Sequence, residues 1–447
     1  MEPTRDSDRW WKRGIPADWK VIRLKFLLDG IEQGWSPECH STPAGPEEWG
    51  VLKAGCCNEG RFRPEENKTL PADLDPIVEH EVREGDVLMS RASGSPALIG
   101  SVARVPSDVR SQLMISDKLY RLRVNDRRVD ADFLVMTMGS SIGRYQVVAA
   151  ISGASGLANN ISQASVKEFV LPLPPLGTQR TIADFLDAET ARIDALIAAK
   201  ENLLAILAEQ RRALVTHAVT RGLDPSVPMR DSGVPWLGEI PAHWEVTRLK
   251  LVATVQSGLA LGKKYGSEEL TEYPYLRVAN VQDGYLDLSA VKTVEVSERD
   301  AIGCRLQAGD VLMNEGGDAD KLGRGAIWTG EIDPCLHQNH VFAVRPQRVS
   351  SGWLNLWTSG DGAKAYFESR SKQSTNLASI SAANLKELPI PAPPVEEQAS
   401  LIQHVNSELE KLGRTESATY TTISLLRERR EAVIAAAVTG QLEPEAS

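Results

Sequence analysis

Along two stretches of this chain, apolar residues interrupted by single polar ones recur at alternating spacings of three and four. Leu186, Glu189, Ile193, Leu196, Lys200, Leu203, Leu207, Gln210, Leu214 and His217 form the first line. Val405, Glu408, Leu412, Thr415, Thr419, Thr422, Leu426, Arg429, Val433 and Ala436 form the second. Such spacing puts side chains on one stripe of a helix, and sustained over heptads it is the seam of a helix packed lengthwise on another. A Pro-rich stop precedes each line (LPLPP at 171–175, PIPAPP at 389–394) and a glycine follows it (Gly222, Gly440), which are helix start and stop signals. Thr178 to Arg221 is then a helix of about 65 Å at about 1.5 Å per residue. Polar seam residues such as Lys200 and Gln210 set register and orientation at some cost in stability. The pattern predicts that the two helices pair antiparallel, a reading favoured over two helices each packed on its own globule. Upstream of each helix the period shortens. GDVLM (85–89) and YLRVANV (275–281) are short β-rich runs bounded by Gly and Asp, the strands of a mixed α/β globule.

The patterns repeat because the residues do. IPADWKVIRLK at 15–25 stands against IPAHWEVTRLK at 240–250, and GDVLM returns unchanged at 309–313. SQASVKEFVLPLPPLGTQR (162–180) parallels SAANLKELPIPAPPVEEQA (381–399). The offset falls from 225 to 219 between these segments, then holds through VT at 219–220 and 438–439. A drifting offset marks loops of changed length, and a constant one marks an element that tolerates no change. The chain reads as a pseudo-twofold tandem repeat of mixed α/β (α+β) globules separated by two long helices pairing as an antiparallel coiled coil. Its parts are a first globular domain at 1–170, a first helix region at 171–222, a second globular domain at 223–389 and a second helix region at 390–447.

A length of 447 residues requires more than one domain, and 42% hydrophobic with 25% charged residues is the balance of a soluble protein. No apolar run approaches the ~18 residues of a membrane span, and the first thirty residues hold no secretory h-region. Five irregularly spaced cysteines fit reduced thiols and a cytoplasmic location. Cys39, His40, Cys56 and Cys57 lack the C-x-x-C spacing of a zinc site. The net charge of −10 divides as −2, 0, −4 and −4 over the four regions. No region is basic, so a nucleic-acid surface has to be a local patch.

Catalytic sets are missing. GLALGKKYGS (258–267) is one residue short of a phosphate loop and has Lys264 where magnesium needs Ser or Thr. NEGGD (314–318) lacks the helix start and ribose-binding acid of a dinucleotide site. Glu66-Asn67-Lys68 has no Pro-Asp before it to complete a metal-dependent nuclease. The seven histidines form no H-x-x-x-H or H-E-x-x-H.

The order IPA-W-V-RLK, GDVLM, PLPP-x-x-x-Q and a long helix ending VT-x-GL, repeated with RDSGVPWLGEIPAHW and PIPAPPVEEQ, resembles the specificity subunit of type I restriction–modification enzymes along essentially the whole chain. The second helix departs from that pattern by ending VTGQL. The resemblance implies two target recognition domains, each reading one half of a bipartite, asymmetric double-stranded DNA sequence. It implies that the helices are spacers that dock partners. Two modification subunits would supply S-adenosylmethionine and adenine methylation, and restriction subunits would supply ATP- and Mg-dependent translocation and cleavage. The chain itself would be non-catalytic, hold no cofactor or metal, and have no membrane partner. The alternative is a duplicated coiled-coil adaptor binding proteins rather than DNA, which the acidic charge favours.

Base reading needs Arg, Lys, Asn, Gln and Ser on loops, with further cations on phosphates. In the first domain these are Lys53, Arg61, Arg63, Ser90, Arg91, Ser93 and Lys118; in the second, Arg277, Asn280, Gln282, Asn314, Lys321, Arg324, His337, Gln338 and Asn339. Lys263, Lys264 and Tyr265 are the densest cationic patch and a candidate phosphate clamp. Helix pairing and subunit docking fall to Leu186, Ile193, Leu196, Leu203, Leu207, Leu214, Val405, Leu412, Leu426 and Val433. Trp10, Trp11, Trp19, Trp236 and Trp244 recur at the start of each copy and read as packing residues rather than base-stacking ones.

If the helices are the ruler between two readers, inserting seven residues after Leu203 and seven after Thr422 keeps the seam and adds ~10 Å to each helix. The spacer between half-sites should then grow by about three base pairs at ~3.4 Å each, or by one or two where DNA rotation opposes the change. Genome-wide mapping of methylated adenines, with modification subunits supplied, reads the outcome. An unchanged spacer at full activity would show that the helices do not set the distance.

Overall fold

The computed structural model describes residues 14–151, 159–262, 265–317, 322–323, 325–373 and 378–442. The chain forms two compact units. The first joins residues 1–201 to residues 421–447; the second is residues 202–420.

In the first unit a four-stranded antiparallel sheet runs Leu28–Gln33, Leu119–Val124, Val87–Ser90, Val102–Arg104 in spatial order. A smaller sheet has Gly50–Leu52 between Asn67–Thr69 (antiparallel) and Leu113–Met114 (parallel). Lys20–Arg23 pairs with Val170–Leu173 at the foot of the long helix Leu176–Arg221. The second unit repeats this order. Ala253–Ser257, Val341–Pro346, Val311–Asn314 and Gly325–Ile327 make its sheet, Thr271–Leu276 lies between Lys292–Val296 and Leu336–His337, and Glu245–Arg248 pairs with Pro389–Ala392 ahead of the helix Val395–Val438. The duplication read from the sequence is thus a duplication of topology and register: Val87 faces Leu122 as Val311 faces Val344.

GDVLM owes its invariance to a turn. Gly85 and Gly309 sit at φ +81° and +95°, where a side chain would be strained. The next residue, Asp86 or Asp310, accepts the backbone N–H of Arg83 or Gln307 and closes the turn. The same carboxylate receives an arginine from the neighbouring strand: Arg345 donates Nε and Nη2 to Asp310 at 2.7 and 2.8 Å, and Arg123 reaches Asp86 at 3.4 Å. The first unit adds Arg121, 2% exposed, with Nε 3.1 Å from Asp86 and with three backbone carbonyls as acceptors.

PLPP-x-x-x-Q has an equally local cause. Gln179 donates to Pro174 O (2.8 Å) and Arg128 O (3.4 Å) and accepts from Asp130 N (2.8 Å). Gln398 donates to Pro393 O (2.9 Å) and accepts from Ser350 N (3.0 Å). Asp130 and Ser350 are the N-caps of the short helices Ala131–Gly139 and Ser351–Ser359. Each buried amide therefore ties the start of a long helix to the start of a short one. The tryptophans at the start of each copy pack as expected where they are described. Trp244 is buried, meets Trp353 edge-on at 5.6 Å, and donates Nε1 to Glu397 at 3.0 Å beside Gly222. Trp236 stacks on Trp357, and Trp19 lies against Gly440. Trp10 and Trp11 lie outside the described residues.

The long helices pair antiparallel within each unit. In the first, Ile182 and Leu186 share a core with Ala437 and Val438, while Glu189, Asp194 and Glu201 pair with Arg429, Arg430 and Arg427 at 3.3, 2.9 and 3.0 Å. In the second, Val215 and Val219 share a core with Leu401 and Val405, and Arg211 reaches Glu416. The seam differs from the expected one at Leu196, Gln210, His217, Thr415 and Arg429, which are exposed. Leu186, Ile193, Leu207 and Val405 are buried and Leu203, Leu214, Leu412, Leu426 and Val433 half-buried, but Leu196 is 46% exposed and His217 exposed. Thr190, Ala218, Ile423 and Ala437 are buried beside the expected positions, and Ile197, Leu204, Leu409, Glu416 and Arg430 are half-buried. The pairs Leu196-Ile197 and Leu203-Leu204 offer two apolar residues for one seam position, so spacing alone leaves that choice open.

Gln179→Ala and Gln398→Ala each leave a buried N–H and a carbonyl without a partner. Each should cost about 1–3 kcal/mol, read as a lowered midpoint in urea unfolding. An unchanged midpoint would show that the amide does not hold the helix.

Candidate nucleic-acid interface

At one end of each four-stranded sheet, loops from several strands converge. A glycine permits the closest approach. A Cβ on Gly34 would lie 1.9 Å from Ile115 O, and one on Gly258 2.1 Å from His337 O, so only glycine lets the loop after the first strand cross there. Trp35 N and Leu259 N then donate to those same carbonyls. Beside the crossing, Arg91 N donates to Lys118 O (2.8 Å) and Ile161 N to Arg91 O (3.0 Å); Glu315 N donates to His340 O (2.9 Å) and Ile380 N to Glu315 O (2.8 Å). The backbone frame is the same in both units.

The side chains on that frame differ. In the first unit Arg91 lies over the Tyr120 ring, donates to Tyr120 Oη (3.1 Å) and Asp117 O (3.2 Å), and Tyr120 Oη donates onward to Ile161 O (3.1 Å). Asp117 is tied to Ser36, Lys118 is exposed, and Ser93 is half-buried in the short ladder with Asn159. In the second unit Glu315 accepts from His340 Nδ1 at 2.8 Å, and Asn339 is half-buried beside them.

The other expected readers fall into four groups. Ser90, Asn280, Asn314 and His337 are buried, which corrects their assignment to a surface that meets DNA. Asn280 closes the turn of its own loop with Arg277 N, Asp287 O and Ala290 O, Asn314 donates to Val281 O, and His337 Nδ1 meets Val341 O at 2.7 Å. Their polar atoms serve the fold because each loop must satisfy its own backbone before it can present anything outward. Gln282 donates to Ala279 O and remains half-buried, as do Arg277 and Gln338. Lys53 sits 3.7 Å from Glu66, and Arg61 reaches across to Asp194 on the long helix at 2.8 Å, with Arg63 nearby in sequence. Tyr265 donates to Asp300 at 2.7 Å, and its hydroxyl is pushed up to about 12 by burial and by that carboxylate. Lys263, Lys264, Lys321 and Arg324 lie outside the described residues. Glu315 and His340 were missed by sequence reasoning. The signal that could have found them is the duplication itself, since they occupy the positions of Arg91 and Lys118.

A sequence model described as "Type I restriction modification DNA specificity domain" matches residues 65–205 and 241–417, once in each copy. The chain belongs to this specificity-domain family. Among its relatives, the type I restriction enzyme EcoEI specificity subunit of Escherichia coli is 32% identical over 190 residues, spanning 41% of this chain and 31% of that one. The EcoKI specificity subunit of Escherichia coli K12 is 22% identical over 403 residues, spanning 88% and 82%. Two solved structures share the fold. A chain from work on complex assembly and conformational transition of the type I R-M system superposes with a TM-score of 0.71 over 96% of this chain and 99% of that one, at 18% identity. The HsdS subunit from Thermoanaerobacter tengcongensis gives 0.52 over 96% and 98%, also at 18%. The expected fold, of two target recognition domains and paired helices, stands in this specificity-domain protein. So does the reading as a DNA specificity subunit rather than a protein-binding adaptor. No helix among the described residues is long and apolar enough to cross a membrane.

His337 supplies a pH test of the second domain. Burial pushes its imidazole below the usual histidine value, and Nε2 has no partner among the described residues. The unfolded chain therefore takes up a proton, near its ordinary pKa of about 6.5, before the folded one does. Stability is full above that pH and falls as pH drops toward 5. In His337→Ile, which installs the residue found at the equivalent Ile115, the denaturation midpoint should lose this slope between pH 7 and 5. An equal slope in both proteins would exclude His337 as its source.

Proposed function

We propose that this specificity-domain chain reads a bipartite, asymmetric DNA target for a type I restriction–modification enzyme. Residues 1–170 and 223–389 are its two readers, and residues 171–222 and 390–447 are the helical spacer between them. The chain is non-catalytic. Two modification subunits bring S-adenosylmethionine and methylate adenine, restriction subunits bring ATP and Mg chemistry, and the assembly works on double-stranded DNA in the cytoplasm. The proposed DNA-facing set keeps Lys53, Arg61, Arg63, Arg91, Ser93 and Lys118 in the first reader, and Tyr265, Arg277, Gln282, Gln338 and Asn339 in the second.

One observation carries this reading: both copies keep the same backbone frame where their loops converge, yet place different side chains on it. A structural scaffold has no need of that difference. Two readers of unlike half-sites require it, because base edges are told apart by donor and acceptor pattern. The acidic balance of the chain is compatible with this role when phosphate contacts are local and the partners share them.

Exchanging residues 23–160 for the corresponding domain of another specificity subunit should alter one half-site and leave the other intact. Methylation mapping with modification subunits present reads this directly. If both half-sites changed together, two independent readers would be excluded.

A further inference from the structure

We propose that the residue directly after the invariant GDVLM strand is the matched base-reading position of the two domains: Arg91 in the first and Glu315 in the second. We propose further that the opposite sign of charge there makes the half-sites differ. This rests on the DNA-reading function proposed above and names where that reading is done.

The argument starts from the frame. GDVLM is identical in both copies, and the residue that ends each strand, Ser90 or Asn314, is buried. The residue that follows has its N–H and its carbonyl engaged by equivalent partners in both units, Lys118 and Ile161 for Arg91, His340 and Ile380 for Glu315. Its backbone is therefore fixed, and only its side chain is free to vary. What varies is charge. Arg91, Asp117 and Lys118 stand where Glu315, Asn339 and His340 stand in the second copy, so a half-buried cation occupies one frame and a half-buried carboxylate the other. Neither choice is dictated by the fold, since the same hydrogen-bonded frame accommodates both.

Each side chain is also held for presentation. Tyr120 lies beneath the Arg91 guanidinium, accepts its Nε–H and is itself anchored to Ile161 O. Glu315 is oriented by His340, whose Nδ1 holds Oε2, and Oε1 has no partner among the described residues. A planar, steadied guanidinium matches the two acceptors of guanine in the major groove. A steadied carboxylate oxygen accepts from the amino group of cytosine and is repelled by the acceptors of guanine and thymine. The first half-site should thus contain a guanine contacted by Arg91, and the second a cytosine contacted by Glu315.

The test uses the full chain assembled with its modification subunits and a duplex library randomised at both half-sites, with methylated sequences as the readout. Glu315→Gln keeps shape and adds a donor. It should weaken preference at one base pair of the second half-site by about 5- to 150-fold and leave the first half-site unchanged. Arg91→Gln should do the converse. Equal thermal unfolding of variants and parent shows that the fold is kept, and Glu315→Ala serves as a second variant with no replacement donor. Unchanged preference in all three variants, or relaxation of both half-sites by any one of them, would overturn the assignment. Methylation by the unmodified complex without sequence preference would instead overturn the proposed function, and it is seen in the parent sample alone.

Discussion

Everything in this molecule hangs on how a long helix leaves a globule, and a single buried amide fixes it. The first turn of a helix has N–H groups with no partner of their own, and a proline run before it removes donors from the approaching strand. Nothing in the backbone alone sets the angle of exit. Gln179 and Gln398 supply it by bonding back to the last prolines and across to the N-cap of a neighbouring short helix. A glutamine is long enough to reach both and carries a donor and an acceptor on one rigid plane. The same residue at the same position in both copies gives both domains the same attachment.

The Asp–Arg contact behind GDVLM plays a corresponding part inside the sheet. Asp310 is fully buried and is tolerated because a turn N–H and the arginine fork satisfy its oxygens together. It lies at one end of its strand, and the variable residue lies at the other. The strand is thus pinned at its start, while its end can change chemistry without a change of path. That separation lets a duplicated gene segment diverge in what it recognises while the two products remain interchangeable as folds.

Much of this was legible in the residues. Two copies, two long helices, their antiparallel pairing and the strands after each Gly-Asp turn all leave period or identity in the sequence, because each depends on local chemistry repeated twice. Some seam positions were not legible. At Leu196-Ile197 the pattern holds two apolar neighbours, and spacing does not tell that Ile197 is the more buried. The reading surface was harder still. Asn280, Asn314 and His337 have the side chains of readers but are consumed by loop and strand backbone. Arg61 keeps the charge of a phosphate contact, and its sharing of Asp194 with Arg430 of the second long helix leaves no mark in the sequence. A glutamate is repelled by phosphates, and only its equivalence to Arg91 in the shared backbone frame marks Glu315 out.

The first unit is built from residues at both extremes of the chain, since Thr421 onward completes it and Trp19 waits for Gly440. The second unit is one unbroken span from Asn202 to Tyr420. During synthesis the first unit therefore has all its residues only after the whole of the second has been made. The first unit stays open along the face that the end of the helix Val395–Val438 covers, whereas the second needs nothing beyond Tyr420. Val433, Ala437 and Val438 close the core of the first, so a product truncated before them presents an unsealed hydrophobic flank to whatever inspects new proteins.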